Sequence, residues 1–203
     1  MKYKSGALSV LLIAFYFPPD WNGVSVRAYN CAKALVLAGY KVTVISAYPN
    51  YPDGHHSVRQ SRRVIYSEDV EGITVIRTWV PNFRHVPLSK RIALYLSFML
   101  TSLLAFRSID KVDVIFSMNP SLFGFFPSLA YSTFLRKNII RNVDDLWPEV
   151  FYDMGIVKSA IFKKILDSIT KMTYRIPKII VALSVGYVET LTSKYQIPQE
   201  FDT

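Results

Sequence analysis

Short apolar runs alternate with helix-patterned stretches along the chain, and this alternation limits the fold more than any other feature. The first run, from Leu8 to Phe17, is almost continuously apolar, as in a parallel strand covered on both faces. An amphipathic helix follows, whose apolar face is marked by Ala28, Cys31, Ala32 and Leu35. Gly39 ends that helix, and "KVTVIS" is a second strand. The order strand, loop, helix, strand is that of a βαβ unit.

The remainder of the chain continues the same alternation. "RRVIYSEDVEGITVIRTWV" predicts two strands joined by a hairpin at the Glu-Gly turn, and helices and strands then alternate from "SKRIALYLSFMLTSLLAFRS" through "DVIFS", "SLFGFFPSLAYSTFL" and "NIIRNV". Ile161, Ile165, Ile169 and Met172 mark an amphipathic helix with lysines opposite, before the strand "KIIVALS" and a last helix. We therefore predict a single α/β domain over residues 1–203: a doubly wound, mainly parallel Rossmann-like sheet with helices on both faces.

Composition limits the binding partners and the cellular compartment of this domain. The 203 residues carry a formal net charge of +9, which suits an anionic partner such as phosphate, nucleic acid or an anionic membrane face. Cys31 is the only cysteine, so an intrachain disulfide is impossible and a cytoplasmic setting is favoured. Lys2 and Lys4 ahead of an apolar run imitate a secretory signal, but bulky Phe17 and two prolines follow in place of a cleavage site, which favours a buried first strand.

Loops that follow strands are where open parallel sheets bind ligands. The first such loop, "PPDWNG", lacks the G-x-G-x-x-G pattern, which argues against a dinucleotide site and hydride transfer. Asn22 and Gly23 nevertheless form a tight turn ahead of a helix, whose amino end attracts phosphate or sugar oxygens. A plain strand-to-helix turn is the alternative interpretation.

The loop "DDLWPE" is the second candidate site. Asp144, Asp145 and Glu149 surround a tryptophan and a proline there. Such acids could serve as a general base, as metal ligands, or as hydrogen-bond acceptors for sugar hydroxyls. The alternative is a solvated loop in which Pro148 starts a helix. Asn119, in the loop "SMNPS", predicts only a turn when taken by itself.

One predicted helix is apolar on all sides. The stretch from Ile92 to Phe106 has 15 residues, whereas a bilayer span needs roughly 20. Two interpretations remain, a buried core helix and a helix that contacts a membrane surface. Lys90, Arg91 and Arg107 flank the stretch, as an interfacial site facing anionic lipid requires.

These segments together resemble a known family. "YFPPDWNG" followed by "AKALVLAGYKVTVIS" resembles the amino-terminal half of family 4 glycosyltransferases of the GT-B type, and "DDLWPE" resembles the "DLWPE" motif of the surface-polysaccharide branch. "IPKIIVALSVGYVETLTSKYQIP" is similar to the segment that closes that half. The chain differs at Asn22, where relatives carry glycine, and at Met118 and Asn119, where many carry histidine. The paired-glutamate motif of the donor-binding half, E-x7-E, is absent.

The resemblance implies one half of a GT-B fold and a retaining, nucleotide-sugar-dependent transferase of polysaccharide or glycolipid biosynthesis. It implies that Asn22 and Gly23 lie near the donor diphosphate, and that Asp145 and Glu149, assisted by Asn119, bind hydroxyls of a saccharide or polyprenyl-linked acceptor. The donor is a substrate, and neither a cofactor, a metal nor nucleic acid is expected. The expected location is the cytoplasm or the inner face of the membrane.

The same resemblance leaves the chain without its donor-binding domain, which would lie in cis or on a partner chain. We therefore expect the chain alone to be inactive. A second hypothesis is a standalone, non-enzymatic module that binds a lipid-linked saccharide or a partner chain carrying the other half. A third, a nucleotide-binding domain of another class, is disfavoured because the glycine fingerprint is missing.

Overall fold

A seven-stranded sheet organises the molecule. The computed structural model describes residues 7–51, 63–83, 88–118, 122–148, 152, 155 and 159–198. The strands are β1 (Ser9–Ile13), β2 (Lys41–Ala47), β3 (Ile65–Val70), β4 (Ile73–Thr78), β5 (Val114–Met118), β6 (Ile139–Val143) and β7 (Ile179–Ala182). Their order across the sheet is β3-β4-β2-β1-β5-β6-β7. The α/β, Rossmann-like fold predicted from the sequence is confirmed.

All neighbouring strands are parallel except β3 and β4, which form an antiparallel hairpin. The hairpin turn consists of Glu71 and Gly72, with φ of 53° and 84°. Two consecutive residues with positive φ are typical of the tight hairpin turn whose twist matches that of the strands. The Glu-Gly turn expected from the sequence is therefore present, and β3 occupies one edge of the sheet.

Five α-helices are described: α1 (Gly23–Leu37), α2 (Leu88–Leu104), α3 (Leu122–Leu135), α4 (Ala160–Arg175) and α5 (Val185–Ser193). A short 3-10 segment, Ala105–Ser108, continues α2. Within the described part of the chain, no helix is both long and apolar enough to cross a bilayer.

Alternating side chains of β1 separate the core into two layers. Leu12 and Ala14 pack with Ala28 and Ala32 of α1 on one face. Leu11 and Ile13 belong to the cluster on the opposite face, which includes residues of α2 and α3. Period-two alternation in a doubly covered strand produces this arrangement, since successive side chains point to opposite faces.

Helix α4 lies beside α3 on that second face. The guanidinium of Arg141 in β6 lies 4.6 Å from the ring centroid of Phe125 in α3 and 4.5 Å from that of Tyr174 in α4. Arg141 points to the same side of β6 as Ile139, which belongs to the α2 and α3 cluster. Helices α2, α3 and α4 therefore form one layer, and α1 covers the other face.

Helix α2 is neither fully buried nor fully exposed. Leu94 and Phe98 are buried against the sheet, whereas Leu100 and Leu104 point to solvent. The apolar helix predicted from the sequence thus has one core-facing side and one exposed apolar side.

Candidate active site at the carboxyl edge of the sheet

The sheet has a topological switch point at β1. From β1 the chain moves to β2 and β4 on one side and later to β5, β6 and β7 on the other. At such a point the loops that leave adjacent strands diverge and open a crevice at their carboxyl ends. The loop between β1 and α1 therefore lies at the position where this fold class binds ligands.

The turn at Asn22 and Gly23 begins helix α1. The side chain of Asn22 accepts a hydrogen bond from the Ser25 backbone N–H at 2.9 Å, so Asn22 is the N-cap. The N–H groups of Gly23 and Val24 have no acceptor among the residues that the structure describes. A Cβ placed on Gly23 would meet no atom within 4 Å beyond the adjacent residues and the backbone of its own helix. The amino end of α1 thus presents two donors and a partial positive charge to open space.

Asp20 fixes this loop from within. Its Oδ1 accepts hydrogen bonds from the backbone N–H groups of Asn50, at 3.0 Å, and Tyr51, at 2.9 Å, in the loop after β2. The hydroxyl of Ser25 donates to the backbone carbonyl of Asp20. Asp20 is 1% exposed, and burial raises the pKa of its carboxyl from 3.8 to about 6. One buried carboxylate therefore ties together the loops that follow β1 and β2.

Arg77 of β4 supports the same loop from beneath. Its side chain is fully buried, and its Nε donates to Glu68 Oε1 of β3 at 2.7 Å. Its guanidinium also donates to the carbonyl oxygen of Pro18. A buried guanidinium must satisfy its donors, and here the loop carbonyl and the carboxylate do so. The loop conformation is therefore coupled to the β3–β4 hairpin.

The loop after β6 is joined to α1 by a second polar cluster. Arg27 of α1 donates to Asp144 Oδ1 at 2.9 Å and to Asn142 Oδ1 at 3.0 Å. Asn142 Nδ2 in turn donates to Asp144 Oδ1 at 2.8 Å. Asp144 Oδ2 is buried without a hydrogen-bond partner among the described residues. Asp144 is therefore a structural anchor, with one oxygen whose acceptor capacity is unused.

Asp145, the next residue, has a different environment. Asp145 is exposed to solvent overall. Partial burial of its carboxyl group raises its pKa, and the negative charge of Asp144 raises it further. Its negative charge also raises the pKa of Tyr95 in α2, after the larger effect of burial. Of the two acids of this loop that the structure describes, Asp145 is thus the accessible one, and its charge acts on Tyr95.

The tyrosine pair formed by Tyr16 and Tyr95 lies between the β1 loop and α2. Tyr16 hydrogen-bonds to Tyr95, and burial raises the pKa of both hydroxyls. The ring of Tyr51 packs edge-on against Tyr16, with 6.1 Å between centroids. The positive charge of Arg91 acts on both hydroxyls and opposes the increase in pKa. The phenolic groups of Tyr16, Tyr51 and Tyr95, from three segments, thus form one cluster.

The predicted site residues are only partly visible in this arrangement. Asn22, Gly23 and Asp145 lie at the carboxyl edge of the sheet, whereas Asn119 and Glu149 lie outside the described residues. The proposed roles of all five residues stay predictions. Among the described residues, no group of three or more His, Cys, Asp or Glu could hold a metal ion.

Sequence reasoning missed several polar residues of this edge: Tyr16, Asp20, Arg27, Arg77, Tyr95 and Asn142. Asp20 could have been noticed, because it follows two prolines in the loop already singled out. The others gave no local signal, since their partners are distant in sequence.

The three tryptophans of the chain all follow strands of the sheet. Trp21 follows β1, Trp79 directly follows β4, and Trp147 follows β6. Because β1, β4 and β6 run in the same direction, their carboxyl ends lie along one edge. All three indoles therefore belong to the edge that carries the candidate site.

A protein-family comparison identifies the chain. The model of Glycosyltransferase Family 4 matches residues 21–201. The chain belongs to glycosyltransferase family 4. The match includes the Asn22 turn, the Arg27 to Asp144 pair and the "DDLWPE" loop. A comparison with curated proteins found no match.

A solved structure gives this family 4 chain a fold neighbour. Sucrose-phosphate synthase from Thermosynechococcus elongatus superposes with a TM-score of 0.62 over 91% of the chain, at 12% sequence identity. At this identity the likeness concerns the fold, which is similar to that of a GT-B glycosyltransferase. The chain corresponds to 44% of the length of that synthase.

Proposed function

We propose that this chain is the acceptor-side half of a retaining glycosyltransferase that uses a nucleotide sugar in polysaccharide or glycolipid biosynthesis. One observation carries the proposal: in a family 4 chain, α1 begins at the switch point of the sheet with the N–H groups of Gly23 and Val24 free among the described residues. Free N–H donors and a positive helix end suit a diphosphate. Open space over Gly23 supports a close approach of the ligand to the backbone.

Each site residue has a proposed role. Asn22 and Gly23 place backbone next to the donor diphosphate and the reacting sugar. Asp145 and Glu149 bind and orient acceptor hydroxyls, and Asn119 assists. The donor's own phosphate acts as the base, so the chain orients reactants and stabilises charge without a metal. The effect of the Asp145 charge on the pKa of Tyr95 in α2 supports an acceptor subsite on the α2 side.

The acceptor is a saccharide or a polyprenyl-linked saccharide of surface-polysaccharide synthesis, a proposal supported by "DDLWPE". The enzyme is cytoplasmic and peripheral at the inner face of the membrane. Exposed Leu100 and Leu104 lie between Arg91 and Arg107 along α2, which supports contact with an anionic surface.

Contact through α2 has a direct test. Replacing Lys90, Arg91 and Arg107 by glutamine should weaken binding to phosphatidylglycerol vesicles by up to about fivefold per charge. Binding that does not change with salt or with these substitutions would leave α2 a core helix with an exposed side.

Transfer itself is tested on an enzyme that contains this chain and a donor-binding half. Purified enzyme is given a panel of nucleotide sugars and a polyprenyl-diphosphate-linked saccharide, and release of nucleoside diphosphate is measured. We expect release with one donor, and a product whose anomeric configuration, read by NMR, matches that of the donor. Acceptor binding without release from any donor would instead favour a non-enzymatic binding module. Inversion would contradict the retaining mechanism.

A further inference from the structure

Helix α4 carries its apolar stripe on the outside of the protein. Ile161, Ile165, Met172 and Ile176 recur at helical spacing and are 74%, 49%, 41% and 40% exposed. Phe162, half-exposed, adjoins them. We call these five residues the α4 stripe. An amphipathic helix normally turns such a stripe to the core, so its exposure here requires a reason.

The reason lies in what α4 presents to the sheet. Its buried residues are Thr170, Thr173 and Tyr174. The carbonyl oxygen of Thr173 accepts a hydrogen bond from Arg141 Nη1 at 2.8 Å, and the Tyr174 ring lies against the same guanidinium. A buried arginine needs acceptors and a polarisable neighbour, and α4 supplies both through its polar side. The apolar side of α4 is thereby left facing outward.

Basic residues accompany the stripe. Helix α4 contains Lys163, Lys164, Lys171 and Arg175, and its one acid is Asp167. Asp167 Oδ1 lies 3.4 Å from Lys194 Nζ and accepts from the Tyr152 hydroxyl at 3.1 Å. The acid is therefore engaged by Lys194 and by Tyr152, whose ring centroid also lies 5.1 Å from Lys163 Nζ. The exposed surface of α4 combines an isoleucine-rich stripe with a positive border.

The combination of an isoleucine-rich stripe with lysines indicates whether this surface binds a protein or a lipid bilayer. Surfaces that bind proteins are depleted in lysine. Helices that lie in a lipid interface instead combine one strongly apolar face, built from aromatic and aliphatic residues, with a lysine-rich polar face. Helix α4 also belongs to the same layer as α2, which exposes Leu100 and Leu104. The layer thus turns apolar side chains of two helices away from the sheet.

We propose that the α4 stripe docks on the surface of an anionic lipid bilayer. In this arrangement the stripe enters the boundary between head groups and acyl chains, and the lysines contact the head groups. The proposal goes beyond glycosyl transfer and does not depend on it, because docking is measured without turnover. It also differs from contact through α2, because it names a separate helix.

The test measures partition of the full 203-residue chain onto vesicles of phosphatidylcholine with phosphatidylglycerol. Ile161→Ser combined with Ile165→Ser should lower the partition coefficient at least about tenfold, since each isoleucine loses a buried side chain's transfer free energy. The matched control is Leu37→Ser. Leu37 is 66% exposed but lies on α1, on the opposite face of the sheet, so partition should not change.

A second measurement locates the contact. In a Cys31→Ser background, an environment-sensitive fluorophore on Ile165→Cys should shift to shorter wavelength with anionic vesicles, and one on Leu37→Cys should not. Equal partition of the double isoleucine variant and the wild type would overturn the proposal. So would a fluorophore at position 165 that does not respond, or a double variant that changes only the oligomeric state.

Discussion

A single carboxylate, that of Asp20, joins the loop after β1 to the loop after β2. It accepts two backbone N–H bonds through one oxygen, while the other oxygen is buried with no hydrogen-bond partner among the described residues. Burial disfavours the charged form, so the folded protein holds the Asp20 proton more tightly than the unfolded chain. The loop after β1 is thus held in place by a carboxyl group whose pKa is about 6.

This titration predicts how stability depends on pH. The pKa of Asp20 rises from 3.8 to about 6 on folding, so protonation stabilises the fold below the lower value and this contribution disappears as the pH rises through the upper one. The contribution is at most about 3 kcal/mol. Asp20→Asn keeps the Oδ1 acceptor without the charge. Urea unfolding should show the variant gaining stability relative to the wild type between pH 4 and pH 7. A constant difference would contradict the predicted titration.

Gly23 is the residue at which the proposed donor site is most directly tested. Because a Cβ built there meets no atom within 4 Å beyond the adjacent residues and the backbone of its own helix, Gly23→Val should leave the fold almost unchanged. In the two-domain enzyme it should nevertheless reduce turnover severely, because the added side chain occupies the space proposed for the diphosphate. Asp145→Asn is the control on the acceptor side and should lower activity without altering donor affinity. Full activity of Gly23→Val would show that the turn has only a structural role.

At the scale of elements, helix α1 connects the two loops of the candidate site. Its N-cap lies in the β1 loop, and one turn later Arg27 reaches Asp144 after β6. The helix therefore sets the spacing between the proposed donor and acceptor sides. A shift of its first turn would alter both.

The cap of α1 makes a measurable contribution. Asn22→Ala should lower the free energy of unfolding by about 1 kcal/mol, and Asn22→Ser should recover most of it. Ser159→Ala is the matched comparison in α4, where the capping bond from Phe162 N to Ser159 Oγ is longer, at 3.4 Å, and the loss should be smaller. Circular dichroism during denaturant unfolding provides the values. Equal stability of the Ala and Ser variants at position 22 would show that the cap contributes nothing.

The sequence pattern predicts elements better than it predicts their partners. Each predicted strand and helix is present within a few residues, because apolar period and turn residues are local properties. The turn at Asn22 and Gly23 was located for the same reason. The pair Arg27 and Asp144 joins residues 117 positions apart and leaves no local trace. The outward orientation of the α4 stripe could not be predicted either, since periodicity identifies the apolar side of a helix but not what packs against it.

At the scale of the whole molecule, we propose that this chain supplies one wall of the catalytic crevice. The fold neighbour is more than twice as long as the matched region, which covers 44% of it. We therefore predict that the 203-residue chain alone transfers no sugar, because donor contacts are expected mainly from another half. Release of nucleoside diphosphate is the measurement, with the chain joined to a donor-binding half as positive control. Sustained turnover by the isolated chain would contradict the proposal that another half supplies most of the donor contacts.

The position of the three tryptophans after strands of the sheet gives the molecule a built-in optical reporter. Every indole lies on the edge that carries the candidate site, and none lies in α2, α3 or α4. Trp21, 64% exposed, stands next to the Asn22 cap. Intrinsic emission should therefore respond when a nucleotide sugar or an acceptor fills the crevice. Trp147, whose carbonyl accepts a hydrogen bond from Tyr174 of α4, is the one indole beside that helix. In a Trp147→Phe variant, insertion of the α4 stripe into a bilayer should leave the emission nearly unchanged, so one unlabelled protein sample can distinguish the two events in real time.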